Sequence, residues 1–450
     1  MEEEPETEKR VSPNLRQQVS WTLPANVLYG VCSLLLIVIL NRLGSKALAG
    51  KFGLAMAISA PLFMFANLRF STILATDVRS NAKLSDYFSM RCMLLAICWL
   101  MTIPFAIQSP SLTVLVLVMA CSKTIESVSE LCCGVQQRID RMDRIAISLV
   151  TNGLLMASAF FLVYFFSRSL ELAAVAICVT RLCVLLAYDI PMARSASRSG
   201  IFQSEEKNES AAGQRFGISA RKWALLQVGA PLGITAALIS LTSNIPRYVI
   251  PSIFDEDMLG AFVTLAVVLQ AGNLVFRAVE LPTIPKLALY IDRRDGQGFW
   301  RLMARAVGLF LAMGVIGSVI AWSFGGQLLA AIFGPAYLGF GLLLAMMTIG
   351  TSFSQFAGMI ESSLIASRVT AVQIPMHCVT VVSCLVLCLV LIPRYELYGA
   401  VIAVTLCRVP FAVLGLWLLQ RKLDSPPDTS DATVETEGDE TENASIRKAA

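Results

Sequence analysis

The chain has 450 residues, of which 56% are hydrophobic and 15% are charged, with a formal net charge of +4. Ordinary soluble domains carry about 25% charged residues, so this composition argues against a soluble protein and favours one that spans a membrane. The chain has one histidine and lacks GxxxxGK, GxSxG, HExxH and CxxC patterns. These absences argue against an ATPase, serine hydrolase, metalloprotease or thioredoxin-like enzyme. We expect no cofactor and no nucleic-acid partner.

Long runs without Asp, Glu, Lys or Arg recur along the chain. A helix needs about 20 apolar residues to cross ~30 Å of hydrocarbon. The charge-free runs are residues 17–41, 92–122, 145–167, 223–246, 306–360 and 369–393. Apolar segments of this length indicate helices, because a transmembrane barrel would show short alternating strands. The sequence therefore predicts an all-α polytopic membrane protein.

With the weaker apolar runs included, the chain order gives twelve predicted spans. They are residues 19–40, 52–76, 90–108, 111–134, 145–166, 170–192, 220–243, 259–281, 302–324, 337–359, 371–392 and 396–420. Residues 325–337, inside the longest charge-free run, are expected to form a loop or a short helix at the outer surface. All twelve cysteines fall in or beside predicted spans, where we expect free thiols that pack as small apolar groups.

The two sides of the predicted membrane bundle differ in charge. Most of the 36 basic residues fall on the side that holds the N-terminus, and the positive-inside rule places that side in the cytoplasm. Residues 1–18 form an acidic N-terminal tail, and residues 424–450 form an acidic tail of disordered composition. We predict a multi-pass protein of the inner (plasma) membrane with both termini cytoplasmic.

A polar segment divides the predicted spans into two sets of six. Residues 193–219 contain SRSG and SEEKNES and are typical of a linker. They separate an N-terminal lobe, residues 19–192, from a C-terminal lobe, residues 220–423. Two short matches offset by about 206 residues support a duplicated unit, and parallel repeats of this kind place a cargo path between the lobes. The matches are Leu23-Pro24 with Ala230-Pro231 and Asn67-Leu68-x-Phe70 with Asn273-Leu274-x-Phe276.

Two prolines occupy matching places in the first and seventh spans, at Pro24 and Pro231. Proline removes a backbone donor and disrupts a helix. Paired interruptions in repeated units predict a hinge or a binding site. A tolerated kink is the alternative.

Three cations are predicted near the middle of the membrane, at Lys123, Arg181 and Arg408. Lys123 follows about 12 residues of span four, which corresponds to roughly 18 Å of helix. A charge at this depth costs at least ~2.5 kcal/mol on insertion scales, so each must face a wet cavity, a ligand or an opposite charge. Unpaired cations here favour an anionic cargo, and arginine is suited to phosphate.

Two carboxylates share one helix face with Lys123, at Glu126 and Glu130. Two interpretations stay open. The carboxylates could neutralise Lys123 within the protein, or they could couple transport to protons or sodium.

Further candidate groups lie nearer the membrane surfaces. Arg69 and Arg277 are expected at the cytoplasmic ends of spans two and eight, and Arg247 at the outer mouth of span seven. For Arg69 and Arg277 the alternative is a side chain that reaches to lipid headgroups. His377 in span eleven is interpreted as a buried, hydrogen-bonded residue.

Several short motifs stand in and beside the predicted spans. They are Gly53-Leu54-Ala55, Phe65-Ala66-Asn67-Leu68-Arg69, Ala230-Pro231-Leu232-Gly233-Ile234-Thr235, Ile239-Ser240-Leu241, Asn244-Ile245-Pro246-Arg247-Tyr248, Ala271-Gly272-Asn273 and Phe333-Gly334-Pro335-Ala336-Tyr337. They resemble motifs of O-antigen (Wzx-type) polysaccharide flippases, and the resemblance extends over residues 15–420. It implies the fold of the multidrug/oligosaccharidyl-lipid/polysaccharide exporter superfamily, with two six-helix lobes around a central cavity.

The same resemblance implies a cargo. This would be an undecaprenyl-diphosphate-linked oligosaccharide, moved from the inner to the outer leaflet by alternating access for O-antigen, capsule or exopolysaccharide synthesis. Membrane lipids, a polysaccharide polymerase and glycosyltransferases are the implied partners. Lys123, Arg181 and Arg408 match the cationic cavity of the family by residue type and depth, and not by motif.

Three other classes of membrane protein are alternatives to a flippase. A cation-coupled small-molecule exporter of the same superfamily usually has a carboxylate deep in span one, and residues 17–41 have none. A major facilitator carrier would have a basic Gly/Asp/Arg loop between spans two and three, which Asp77 to Lys83 does not provide. A membrane-embedded polysaccharide polymerase would have a large outer loop, whereas the predicted outer loops are short.

Overall fold

The computed structural model describes residues 15–76, 84–108, 111–197, 218–366 and 372–424. For residues 15–20, 218–220, 271–275, 277–282 and a few single positions it describes only the backbone. Every regular element in these ranges is helical and none is a strand. The prediction of an all-α protein is confirmed.

Fourteen α-helices are numbered here in chain order. They are α1 Leu15–Leu43, α2 Lys46–Asn67, α3 Phe70–Thr76, α4 Leu84–Gln108, α5 Thr113–Arg138, α6 Met142–Ser167, α7 Leu170–Val184, α8 Ile190–Ser197, α9 Ile218–Ile253, α10 Glu256–Asp292, α11 Gly296–Phe333, α12 Gly341–Ala366, α13 Gln373–Leu406 and α14 Val409–Asp424. A π-helical turn, Leu185–Asp189, joins α7 to α8, and a 3-10 helix, Pro335–Phe340, joins α11 to α12.

Nine segments of the described chain are long and apolar enough to cross a membrane. The last of them runs for 52 residues, Gln373–Asp424. Its backbone leaves the helical region at Glu396 (φ 52°, ψ −130°), where the sequence predicts the start of span twelve. Helices α5 and α10, with 26 and 37 residues, are long but are not among the nine. The chain is a polytopic membrane protein, and the count of twelve stays a prediction.

The segment predicted as a loop or short helix at residues 325–337 is divided between two elements: residues 325–333 end a long helix, and residues 335–337 begin a short 3-10 helix. Helix α11 continues through Gly325 and Gly326 as far as Phe333 because its apolar sequence contains no proline before Gly334. Gly334 has φ 116°, a conformation that favours glycine. The chain turns there into the 3-10 helix that contains Tyr337. All twelve cysteines are free thiols, as expected.

The two matching segments of the proposed repeat differ in backbone conformation. Helix α2 ends at Asn67, and Leu68 and Arg69 have positive φ angles of 42° and 49° before α3 begins. Helix α10 is continuous through the corresponding residues 273–276. The two matching sequences therefore do not share the same local structure.

The buried apolar core is continuous at one end of the bundle and divided at the other. We call the end where α1 begins and α14 ends the terminal face, and the other end the opposite face. Toward the opposite face, one cluster joins side chains of the N-terminal half (α1–α8), such as Leu40 and Phe160, to side chains of the C-terminal half (α9–α14), such as Ile250 and Phe333. Toward the terminal face each half has a separate cluster.

Helix α9 is the exception to this division. Its first turns pack on the N-terminal half, because Leu225 belongs to that half's terminal-face cluster. Arg221 Nε lies 3.0 Å from Asp86 Oδ2 at the start of α4. Gly229 and Gly233 bring the backbone of α9 against Leu68. Helix α9 thus crosses from one half to the other at the terminal face.

Substitution of a packed glycine should weaken the N-terminal half. A Cβ atom at Gly134 in α5 would lie 2.7 Å from the Cα atom of Ser71. We therefore expect Gly134→Val to lower the free energy of unfolding by about 1–3 kcal/mol through overpacking. Gly308→Val in α11 is the matched control, since a Cβ atom there meets nothing within 4 Å. Thermal unfolding in detergent measures both, and equal midpoints would contradict the packing described.

Candidate functional site

One charged cluster in the N-terminal half contains two of the predicted cations. Lys123 Nζ lies 3.0 Å from Glu126 Oε2, and Arg181 Nη1 donates a hydrogen bond to the same oxygen. The intrahelical pair between Lys123 and Glu126 is therefore present. Because one carboxylate serves two cations, the Lys123–Glu126–Arg181 cluster carries a net charge of +1 when all three groups are ionised.

Arg181 is the most rigidly held member of this cluster. Its side chain is 10% exposed. It donates to Ser122 Oγ in α5 at 3.0 Å and to Tyr29 Oη in α1 at 2.9 Å. Three helices, α1, α5 and α7, therefore converge on a single guanidinium group.

The carboxylate edge of the cluster is open. The side chain of Glu126 is 42% exposed and that of Lys123 is 24% exposed. Helix α5 packs against α2, α4, α6 and α7. Since neighbouring helices surround α5, we infer that the open edge faces a space within the bundle, where a polar ligand would meet less cost than in lipid.

A second polar cluster, which the sequence analysis missed, surrounds Arg91 in α4. The Arg91 side chain is fully buried, and its Nη1 donates to Asn67 Oδ1 and to Ser127 Oγ, the latter at 2.7 Å. It also lies 3.9 Å from Glu130 Oε2. Ser71 Oγ donates to Glu130 Oε1 at 2.9 Å. Glu130 is thus placed beside Arg91 and Ser71.

Asp189 is a second buried charged residue that the sequence analysis missed. It ends the π-helical turn between α7 and α8 and is 4% exposed. Ser129 Oγ and Ser148 Oγ donate to its two carboxylate oxygens, the latter at 2.6 Å. Single π-helical turns inside α-helices often occur at functional sites. Its position near the predicted end of span six gave no reason to expect burial.

The other predicted cations do not join the Lys123–Glu126–Arg181 cluster through hydrogen bonds or ion pairs in the described residues. Arg408 is half-buried at the junction of α13 and α14 and has no side-chain partner there. Arg69 is exposed. Arg247 is half-buried and donates to Asn244 Oδ1 at 3.1 Å. The side chain of Arg277 lies outside the described part of the structure.

The two matching prolines lie inside continuous helices. Pro24 is in α1 and Pro231 is in α9, and both side chains are exposed. The carbonyl oxygen of Pro231 accepts a hydrogen bond from Thr235 Oγ1 at 2.9 Å. Their role as hinges stays a prediction.

His377 is fully buried, but its surroundings differ from those expected. Its Nε2 atom lies 3.5 Å from Glu361 Oε1, and its ring centroid is 4.8 Å from that of Phe411. Neither ring nitrogen has a hydrogen-bond partner among the described residues. The interpretation as a buried residue is confirmed, whereas the expected hydrogen bond is absent from the described part of the chain.

The long apolar helices define a polytopic membrane protein, and known structures share its fold. A multidrug resistance MATE family transporter of the MOP superfamily, in its inward-facing conformation, gives a TM-score of 0.66 at 12% identity over 88% of this chain and 94% of the other. The lipid II flippase MurJ, in an inward closed conformation, gives 0.62 at 11% identity over 90% and 89%.

Sequence comparison gives the family. Residues 15–287 match the family described as "Polysaccharide biosynthesis protein", and the chain belongs to it. The capsular polysaccharide biosynthesis protein CapF of Staphylococcus aureus is 24% identical over 387 residues, which cover 85% of this chain and 94% of CapF. The predicted resemblance to a family of polysaccharide biosynthesis is confirmed, and the similar structures confirm the fold that this resemblance implies. The chain is an integral membrane protein of polysaccharide biosynthesis.

Removal of the buried Arg91 should destabilise the protein. Arg91→Leu would leave Ser127 Oγ and one edge of Glu130 without a donor, whereas Asn67 Oδ1 would keep its hydrogen bond from Ser127 Oγ. An unsatisfied buried group costs about 1–3 kcal/mol. Arg69→Gln is the control, because Arg69 is exposed and such changes stay within about 0.5 kcal/mol. Thermal unfolding of both variants is the measurement. An unfolding midpoint for Arg91→Leu equal to that of the wild type would show that the Arg91 cluster contributes no stability.

Proposed function

We propose that this protein is a flippase for lipid-linked oligosaccharides. Its cargo is an undecaprenyl-diphosphate-linked glycan repeat unit, moved from the inner to the outer leaflet of the plasma membrane for O-antigen, capsule or exopolysaccharide synthesis. The observation that supports this most directly is the Lys123–Glu126–Arg181 cluster, which is net positive and open on one edge within an apolar bundle. Membership of the polysaccharide biosynthesis family supplies the glycan context.

The chemistry of the cluster suits a diphosphate. Arg181 is oriented by Ser122 and Tyr29, so its guanidinium group can bind two phosphate oxygens at little further entropic cost. Lys123 adds a second, more mobile cation. When no cargo is bound, Glu126 pairs with both cations and takes the place that the phosphate would have.

This arrangement gives Glu126 a part in ion coupling. A proton or sodium ion that neutralises Glu126 would release Lys123 and Arg181 for the cargo. Glu130, the other proposed coupling group, would act through Arg91, which it approaches within 3.9 Å. The energy for transport would then come from an ion gradient or from the supply of cargo.

The division of the core suggests the direction of access. The halves share one apolar core at the opposite face and have separate cores at the terminal face. If both termini are cytoplasmic, as the charge distribution predicts, the terminal face is the side on which the cargo is made. The diphosphate would enter between the separate cores while the lipid chain stays in the bilayer. Motion of the two lobes about Pro24 and Pro231 would then expose the glycan outside.

The remaining cations are proposed as an entry and exit path. Arg69 and Arg277 are predicted on the cytoplasmic side and Arg247 on the outer side, with Arg408 at intermediate depth. The protein would act beside the glycosyltransferases that complete the repeat unit and the polymerase that consumes it.

Loss of both cluster cations should stop export. In the double variant Lys123→Ala, Arg181→Ala we expect surface glycan to fall at least tenfold, because two charge-assisted contacts of about 1.5–3 kcal/mol each are lost. Lipid-linked oligosaccharide should accumulate on the inner leaflet at unchanged protein level. Arg141→Ala is the control, since that residue pairs with Asp143 at an exposed turn.

The outcomes of this experiment separate the candidate functions. Normal export by the double variant would remove the cluster from the mechanism. Shortened glycan chains on the outer surface, in place of accumulation inside, would favour a polymerase.

Removal of the internal carboxylate should have the opposite effect on binding. Glu126→Gln keeps the side-chain shape but frees two cations, so we expect undecaprenyl diphosphate to bind several-fold more tightly in nanodiscs, in line with about 1 kcal/mol for an unmasked charge contact. Glu171→Gln is the matched control, since Glu171 is exposed and accepts a hydrogen bond from Ser169 away from the cluster. Equal binding by wild type and Glu126→Gln would show that the carboxylate does not compete with the cargo.

A further inference from the structure

The Gly334-Pro335-Ala336-Tyr337 motif has no part in the cation cluster, yet it joins the two halves. Tyr337 Oη donates to Asn41 Oδ1 at 2.6 Å and lies 3.1 Å from Thr264 Oγ1. Asn41 Nδ2 donates to Thr264 Oγ1 at 3.0 Å. Thr264 and Tyr337 are 0% and 1% exposed. A closed triangle of polar groups therefore links α1 to the 3-10 helix and to α10.

Arg42, at the end of α1, reaches the carboxyl end of α11. Its Nε donates to the carbonyl oxygen of Ile332 at 2.9 Å, and its Nη2 donates to that of Ala331. The last carbonyl groups of a helix lack partners within the helix and carry partial negative charge. A cation from the N-terminal half thus caps a helix of the C-terminal half.

Lys46, at the start of α2, contacts the adjoining 3-10 helix. Its Nζ donates to the carbonyl oxygen of Ala336 at 3.2 Å. It also lies 5.1 Å and 5.3 Å from the ring centroids of Tyr337 and Phe340, within the range of cation–π attraction. Lys46 therefore holds the short 3-10 helix, and Arg42 holds the helix end that precedes it.

Helices α2 and α10 cross closely below these contacts. A Cβ atom at Gly260 would overlap the carbonyl oxygen of Lys46, and one at Gly50 would overlap that of Glu256. Only glycine permits this approach of two backbones. Lys51 Nζ lies 3.3 Å from Glu256 Oε2 beside the crossing. The crossing has little side-chain interdigitation at these points, so the helices can separate without a steric barrier there.

We propose that Asn41, Arg42, Lys46, Thr264 and Tyr337 form an outer latch, which closes the opposite face and must open for each transport cycle. The latch contacts are hydrogen bonds to hydroxyl, amide and carbonyl groups, which water can replace on opening, so each adds little net stability. Gly334 directs the chain so that Tyr337 meets Asn41. The release of a glycan through the latch rests on the proposed function. The opening of the latch does not depend on it.

The test measures opening without any cargo. Val263 in α10 is 1% exposed and contacts the site where a Cβ atom of Gly53 in α2 would lie. A Val263→Cys reporter is placed in purified full-length protein in nanodiscs. The rate of its reaction with a water-soluble maleimide is followed by peptide mass spectrometry at that position, which separates it from the native thiols.

Tyr337→Phe removes one hydroxyl group and keeps the ring. We expect it to raise the labelling rate of Cys at 263 roughly threefold to tenfold, as for one lost buried hydrogen bond. Tyr395→Phe is the matched control, because Tyr395 is 55% exposed and makes no hydrogen bond to described residues. Arg42→Gln is a second opening variant at an exposed position, used in case Tyr337→Phe fails to fold. Labelling in both opening variants equal to that of the control would overturn the latch.

A covalent link should have the opposite effect. A zero-length carbodiimide reagent joins Lys51 to Glu256 as an amide, with loss of water to the reagent, and Glu256→Gln cannot form this link. We expect the linked protein to show no labelling at position 263 and no glycan export. Continued labelling after complete linkage would contradict the latch. Faster labelling in Tyr337→Phe, combined with normal glycan export by the double variant Lys123→Ala, Arg181→Ala, would support the latch and contradict the proposed cargo.

Discussion

The sharing of Glu126 between Lys123 and Arg181 is the interaction on which the functional interpretation depends. An isolated charge in an apolar bundle is costly, and even a buried pair seldom contributes net stability. Two cations with one acid leave the pairing incomplete, and the acid is the most exposed of the three. A structural ion pair would be balanced and enclosed. An open cluster of two cations and one acid suits a site that exchanges its internal carboxylate for an anionic group of a ligand.

The other polar groups of the membrane body show the contrasting arrangement. Arg91 is enclosed by Asn67, Ser127 and Glu130, and Asp189 receives hydrogen bonds from two serines. These groups hold α2, α4, α5, α6 and the end of α7 in place relative to one another. Because they rigidify the N-terminal half, Arg181 is presented by a scaffold that need not reorganise when a ligand binds. The rigidity of the N-terminal half therefore serves the open Lys123–Glu126–Arg181 cluster.

The sequence predicts the helices well because span length and charge content are local properties. It predicts the pair of Lys123 with Glu126 for the same reason, since they are one turn apart. The contact of Arg181 with Glu126 joins α7 to α5, and that of Arg91 with Glu130 joins α4 to α5, so neither could be derived from spacing. Arg91 was also hidden by its position at the edge of a charge-free run. Residues 325–333 were misassigned because an apolar run does not indicate where a helix ends.

The unequal contacts at the two faces restrict how the halves can move. At the terminal face, α9 packs on the N-terminal half through Leu225, Gly229 and Gly233, while the rest of the C-terminal half has its own core. At the opposite face, polar contacts and a glycine-lined crossing join α1 and α2 to α10 and α11. A rigid rotation of the whole C-terminal half would have to break both sets together. If α9 instead stays with the N-terminal half, opening at the opposite face needs the latch contacts and the apolar core shared with α10–α14 to separate. Helix α9 then becomes the element about which α10–α14 turn.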